Sequence, residues 1–222
     1  MKPSSRGSKK PVFRRREPDF PDDFLTSDPT SLFADRDISI TEHEIKEATV
    51  QQPNGGTLRI EESIMEKVSF SDCRFYSVIL KDVRLVNCDL ANFEARSLQC
   101  IRVELVNCRM TGFRAGEADC QDLLISEGDQ RYSQFRFSKL PATEFHSCNL
   151  SEADFQGTDL SGSVFRKCNL QNVEMSKVTM VNTDLRGSQI DGLQLNAEDI
   201  RGAIVDAAQA LQFASLLGIR IE

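Results

Sequence analysis

From Met65 onward, every fifth residue of the chain is large and apolar or else small. The series runs Met65, Phe70, Phe75, Leu80, Leu85 and Leu90, passes through Leu105, Met110 and Ile125, and continues from Phe135 to Val205 without a slip of phase. Ala95, Cys100, Ala115 and Cys120 are small members of the same register, and of its 29 positions only Gln130 is polar. A helix repeats at about 3.6 residues and a strand at about 2, so neither explains a period of five. A second column lies two residues earlier and is small or β-branched: Val68, Cys73, Val78, Val83 and Cys88 at one end, Cys168, Val173, Val178, Thr183 and Ser188 at the other. One large and one small inward residue per five, with polar residues between, predicts a solenoid whose coils share a continuous core. Gly112, Gly157, Gly162, Gly187, Gly192 and Gly202 all fall two places after a large residue, where a tight corner favours glycine.

Stretches such as Ala153-Asp154-Phe155-Gln156-Gly157 and Thr183-Asp184-Leu185-Arg186-Gly187 resemble the pentapeptide-repeat proteins, whose consensus is A(D/N)LXX. The resemblance covers about two-thirds of the chain and implies an all-β fold: a right-handed quadrilateral parallel β-helix with four pentapeptides per coil. On that basis the repeats make about seven coils, and at a strand spacing of ~4.8 Å the rod is ~34 Å long. Residues twenty apart then stack on one side. Cys88 and Cys108, Cys148 and Cys168, and Cys100 and Cys120 are such pairs, and all seven cysteines fall in the two inward columns. Metal binding or redox switching is one reading of this; a small buried hydrophobe in a narrow core is the one favoured.

The ends read differently. Residues 1–37 are expected to be a disordered tail, basic and then acidic, and residues 38–60 an N-terminal cap or lead-in, strand or helix, with a turn at Pro53-Asn54-Gly55-Gly56. The solenoid is assigned to residues 61–205. Residues 206–222 are expected to cap it: Asp206 and Gln209 form a capping box, a short helix runs from Ala207 to Leu217, Gly218 stops it, and Ile219-Arg220-Ile221 alternates like a strand. That helix is apolar nearly all round, so Leu211, Phe213 and Leu217 are candidate contacts for a homodimer through the C-terminal end, the arrangement that the gyrase-binding members of the family imply. One coil breaks the pattern. Around Ser126-Glu127-Gly128-Asp129-Gln130 both columns fail, and Arg131, Tyr132 and Phe137 follow at outward positions. A locally loosened coil with two aromatics lying flat is one expectation. A recognition bump built on Arg131, Tyr132 and Phe137 is the other, since exposed Tyr, Phe and Arg together are typical interface anchors.

Charge narrows the function. Seven Lys and Arg and no acid fall within the first sixteen residues, leaving -14 on the remainder. That sign disfavours nucleic-acid binding by the body, and no strong signal for it stands outside the basic tail. Seven cysteines without a C-x-x-C pair, and no apolar run long enough to span a membrane, point to a cytoplasmic protein with reduced thiols. His43 and His146 make no metal cluster, no phosphate loop appears, and a self-filled rod offers no pocket, so no cofactor and no catalysis are expected. The reading is a non-catalytic protein-interaction scaffold of unknown partner. The alternative, implied by the resemblance to quinolone-resistance members, is an acidic DNA mimic that modulates DNA gyrase or another type II topoisomerase. Its candidate acidic face is Asp72, Asp89, Asp129, Glu152 and Asp191, but that face also carries Arg109 and Arg131 and is no strong stripe.

Overall fold

The computed structural model describes residues 15–51, 55–215 and 218–220. From Ile38 to Ile204 the chain pairs with itself in parallel at a constant offset of twenty: Ile38 with Leu58, Val78 with Leu98, Leu124 with Glu144, Asp184 with Ile204. Four pentapeptides therefore make one coil. The strands are β1 (Ile38–Thr41), β2 (Glu44–Lys46), β3 (Thr57–Glu66), β4 (Arg74–Val86), β5 (Glu94–Val106), β6 (Arg114–Ala115), β7 (Asp119–Ser126), β8 (Glu144–His146) and β9 (Val164–Arg166). They form one sheet in the order β1-β3-β4-β5-β7-β8-β9, with β2 beside β3 and β6 beside β5.

Corners are made where the period of five places them. Glycine and non-glycine residues two places after the large residue share a left-handed backbone, from Glu42 (φ 59°) to Asn182 (φ 61°). That conformation costs an L-residue about 1–2 kcal/mol. Each coil offsets it by using the corner amide as a donor to the next coil, as when Asp72 N–H donates to the Ala91 carbonyl and Asn92 N–H to that of Thr111. Ser77 and Ser97 stand at the equivalent place without a positive φ, and there β4 and β5 pass from one side of the rod into the next as long strands.

Both inward columns are buried. Phe93, Phe113, Phe135 and Phe155 stack along the axis with centroids 5.3–5.6 Å apart, and Phe145 lies 4.6 Å from Phe165. In the small column the hydroxyl or thiol points at a carbonyl one coil back: Thr158 donates to Phe135, Ser163 to Leu140, Thr183 to Leu160, and Cys108 to Leu85. Two of those carbonyls, Phe135 and Leu160, also accept an amide in their own coil, from Ser138 and Ser163. Where Cys100 and Cys120 replace larger residues, the interior holds a cavity of about 40 Å³ whose lining also includes Phe93 and Phe113.

Residues 38–60 are not a lead-in but part of the coil stack itself. Ile40, Ile45 and Val50 occupy the same phase of five as Met65 and are fully buried, and β1 and β2 pair with β3. The N-terminal segment also differs from expectation. Its described part, residues 15–37, lies along the rod and over its end. Arg15 pairs with Glu104 at 2.8 Å, Arg16 with Asp122 at 2.9 Å, and Leu25 bridges to His43. Helix α1 (Pro29–Leu32) follows, capped by the Asp28 side chain, and Phe33 packs edge-on against Phe70 as part of the core. Half-buried Phe20 and Phe24 supply the apolar grip that the charge pattern of the sequence concealed. Residues 1–14, including most of the basic run, lie outside the described residues, as do Pro53 and Asn54 of the expected turn.

At the other end helix α2 spans Ala207–Ala214 with the Asp206–Gln209 capping box in place. Leu217 and Ile221 lie outside the described residues, and Ile219 and Arg220 are not in a strand.

Candidate protein-binding surface

A rod filled by its own side chains presents function only on its outside. The outward residues form ladders one coil apart, and most ladders are self-paired. Arg109 makes a bidentate contact with Asp89, Arg131 with Asp129, and Asn92 donates to Asp72. Asp191 is approached by the Gln212 amide and Glu152 by the Tyr132 hydroxyl at 3.3 Å. The five candidate acids thus share one side, yet arginine holds two of them and amide or hydroxyl groups the rest. Arg131 keeps the Asp129 carboxyl below its ordinary titration range against the opposing effect of burial, and the Asn92 amide does the same for exposed Asp72. The side is charged but internally compensated.

The irregular coil is regular in its backbone. Met110 N–H donates to Asp129, Gln130 N–H to Asn149, and the ladder continues through Asp129 and Asn149. Gln130 stands fully buried in the large column, and its amide fills the space left by the missing side chain of Gly128. Two departures from the pattern compensate each other in one place. The loosened coil is therefore not found, while Phe137 does lie flat, its ring over Gly157 in the next coil, with 61% of its surface exposed. Tyr132 is 50% exposed one corner away.

Tyr132 and Phe137 border one side of the rod, whose interior residues are Phe75, Ala95, Ala115, Phe135 and Phe155. Along that side lie Tyr76, Arg96 and Arg136, with Arg74 and Arg114 beside them, all exposed. The guanidinium of Arg96 sits 4.9 Å from the Tyr76 ring centre and that of Arg36 5.9 Å. Arg136 pairs with Asp154 and Arg74 approaches Glu94. Sequence reasoning singled out Arg131, Tyr132 and Phe137 but missed Tyr76, Arg96 and Arg136. Sorting outward residues by twenty would have found them, since 76, 96 and 136 differ only by whole coils. Of the expected pair of C-terminal contacts within the described residues, Leu211 is exposed, whereas Phe213 is buried against the last coil and is not available to a second chain.

The thiols of the two inward columns are shielded from solvent. Burial pushes the Cys73 thiol up to about 12, while a hydrogen bond to the neighbouring thiol, with burial added, raises Cys108 and Cys148. All seven cysteines are free and buried. Among the described residues, no helix is long and apolar enough to cross a membrane.

Comparison with known proteins agrees with the geometry. The family model for pentapeptide repeats matches residues 132–166 and 148–187. No curated protein sequence matches the chain. Among solved structures, a trypsin-treated form of QnrB1, a plasmid-mediated fluoroquinolone resistance protein, is similar at 20% identity and a TM-score of 0.51, covering 83% of this chain and 100% of that one. HetL, involved in heterocyst differentiation regulation in the cyanobacterium Nostoc sp. strain PCC 7120, aligns at 13% identity and a TM-score of 0.26, covering 75% of this chain and 86% of its own. With five residues to a repeat and four repeats to a coil, the chain has the architecture of a pentapeptide-repeat β-helix, and it is similar in sequence to the pentapeptide-repeat family over residues 132–187.

Proposed function

We propose that the chain is a non-catalytic protein-interaction scaffold whose principal contact surface is the arginine-and-aromatic side bearing Tyr76, Arg96, Tyr132, Arg136 and Phe137. The observation that carries this reading is the exposure of three aromatic rings along one rigid side. Each gives a partner apolar area without a large loss of side-chain freedom, and the adjoining arginines suit an acidic rim. A partner with an apolar patch flanked by carboxylates is the complement. Two of the five acids of the alternative reading, a DNA mimic, are held by arginine, which leaves less free negative charge than a duplex presents. The likeness to a fluoroquinolone resistance protein nevertheless makes gyrase the first partner to try.

The test uses three full-length proteins: the native chain, Tyr132→Ala with Phe137→Ala, and Asp89→Asn with Asp129→Asn. Each is titrated into gyrase supercoiling reactions and used for cross-linked capture of partners. Capture lost only in the aromatic variant supports the scaffold reading. Inhibition of supercoiling that is lost in the acidic variant and kept in the aromatic one replaces it with DNA mimicry.

A further inference from the structure

The corner diagonally opposite that of Asp72 and Asn92 carries Glu62, Asp82, Arg102 and Asp122 on successive coils, with Arg84 and Glu104 beside them. Asp82, Glu104 and Asp122 are each more than nine-tenths buried. The rod itself supplies part of their pairing, Arg102 to Asp82 and Arg84 to Glu104. The rest comes from outside the solenoid. Glu104 accepts from Arg15, Asp82 from the Asp19 amide at 2.9 Å, and Asp122 takes both of its bonds from Arg16, one from the backbone N–H and one from Nε. Phe20 lies under the Arg84 guanidinium, 5.4 Å from it, and Phe24 packs 6.0 Å from Phe20.

The spacing is that of an extended peptide. Asp122 and Asp82 are two coils apart, ~9.6 Å at a strand spacing of ~4.8 Å, and they bind the amides of Arg16 and Asp19, three residues whose extended length is ~10 Å. The carboxylates therefore read a straight chain at fixed intervals. Beneath it the coil ladder is complete, with β3, β4 and β5 paired to one another on either side of the corner. The bound segment adds one bridge of its own, Leu25 to His43, and otherwise holds on through charges and two rings. Nothing in the rod has to break for it to leave.

We infer that this corner is a second binding site, built for an extended segment of a partner protein that carries adjacent arginines with an aromatic residue four places after the second, and that residues 15–25 occupy it in cis as a displaceable substitute. Tethering gives the chain's own segment a high effective concentration, so a partner engages only where its own segment is abundant or the tethered one is weakened.

The experiment measures fluorescence anisotropy of a labelled peptide with the sequence of residues 15–25, added to the full-length native chain and to full-length Arg15→Ala/Arg16→Ala. The released chain is expected to bind at least about tenfold more tightly than the native one. That binding should weaken with salt and disappear when Asp122→Asn is added, while the same peptide with both arginines replaced by alanine should not bind. Equal affinity of native and released chains, or no binding to either, overturns the inference, as does binding indifferent to Asp122→Asn. An independent readout uses the native chain alone with excess peptide. Loss of hydrogen-exchange protection at the Asp19 amide is the expected displacement, and undiminished protection at saturating peptide refutes it.

Discussion

A single side chain can break the repeat without breaking the fold when a neighbour absorbs the change. Gln130 is the one polar residue of the large column, and its Oε1 has no hydrogen-bond partner. Leaving a buried acceptor unsatisfied costs about 1–3 kcal/mol. Gln130→Leu should therefore raise stability by about 1–2 kcal/mol in urea denaturation. Gly128→Ala alone should destabilise, because its new methyl meets both the Gln130 amide and the Cys108 carbonyl, and Gln130→Leu should relieve the first of these clashes and so part of the cost. A sum of the two single effects that matches the double variant contradicts the compensation. Corner glycines separate strain from contact in the same way. Gly157 and Gly187 are both left-handed, at φ 69° and 75°, but an added Cβ meets the Phe137 ring only at Gly157. Both alanine substitutions should cost about 1 kcal/mol, the left-handed penalty, since Phe137 is exposed and can swing aside. Only Gly157→Ala should reduce binding of a partner that docks on Phe137.

At the scale of the element, the C-terminal helix is fastened more than stacked. Asp206 accepts the Gln209 amide and also the Gly187 amide of the last coil, and the Gln209 side chain returns two hydrogen bonds to the Leu185 and Ser188 carbonyls at 2.7 and 2.8 Å. Asp206→Ala should cost about 1 kcal/mol, as for an ordinary N-cap. Gln209→Leu should cost about 2 kcal/mol because the Ser188 carbonyl loses its donor and the Leu185 carbonyl is left with the Ser188 amide alone. Thermal melts of the two variants give the order directly, and a larger effect for Asp206→Ala would show that helix formation rather than docking dominates. The capping box was legible in the sequence because it is a local pattern of two residues. The buried bonds of Gln209 were not, since their partners lie more than twenty positions back. The same distinction explains β1 and β2: Ile40, Ile45 and Val50 keep the phase, but the glycine at position 55 interrupts the column just before Ile60.

For the whole molecule, the attachment of the N-terminal segment makes stability depend on acid and salt. Burial pushes the Asp82 carboxyl up, but the bidentate Arg102 and the Asp19 amide outweigh it and hold the group below the ordinary range. A folded value below the unfolded one, about 3.9, means the stabilisation is complete above that value. It is lost as the pH falls through the folded value. Hydrogen exchange should therefore show the Asp19 amide protected at neutral pH and opening at pH values below about 4, ahead of the coil amides. In Asp82→Asn the same amide should exchange rapidly at neutral pH. Protection that survives both changes would mean the apolar grip of Phe20 and Phe24 suffices.

The sequence by itself determined the coil. A period of five sets which residues turn inward and which corners turn left, and the burial of two residues in every five drives the rest through local geometry repeated without interruption. Phase also placed the cysteines, and the five in the small column serve as weak thiol donors to carbonyls one coil back. How ladders and ends are partnered depends instead on contacts between distant parts of the chain. Arg16 meets Asp122, and Gln209 meets Leu185, across distances that no local pattern encodes. Their free energy depends on how deeply each polar group is buried and on what else competes for it. An N-terminal segment rich in proline and charge reads as unstructured on composition. Against a corner that already holds three carboxylates at the spacing of an extended chain, its arginines have a fixed place.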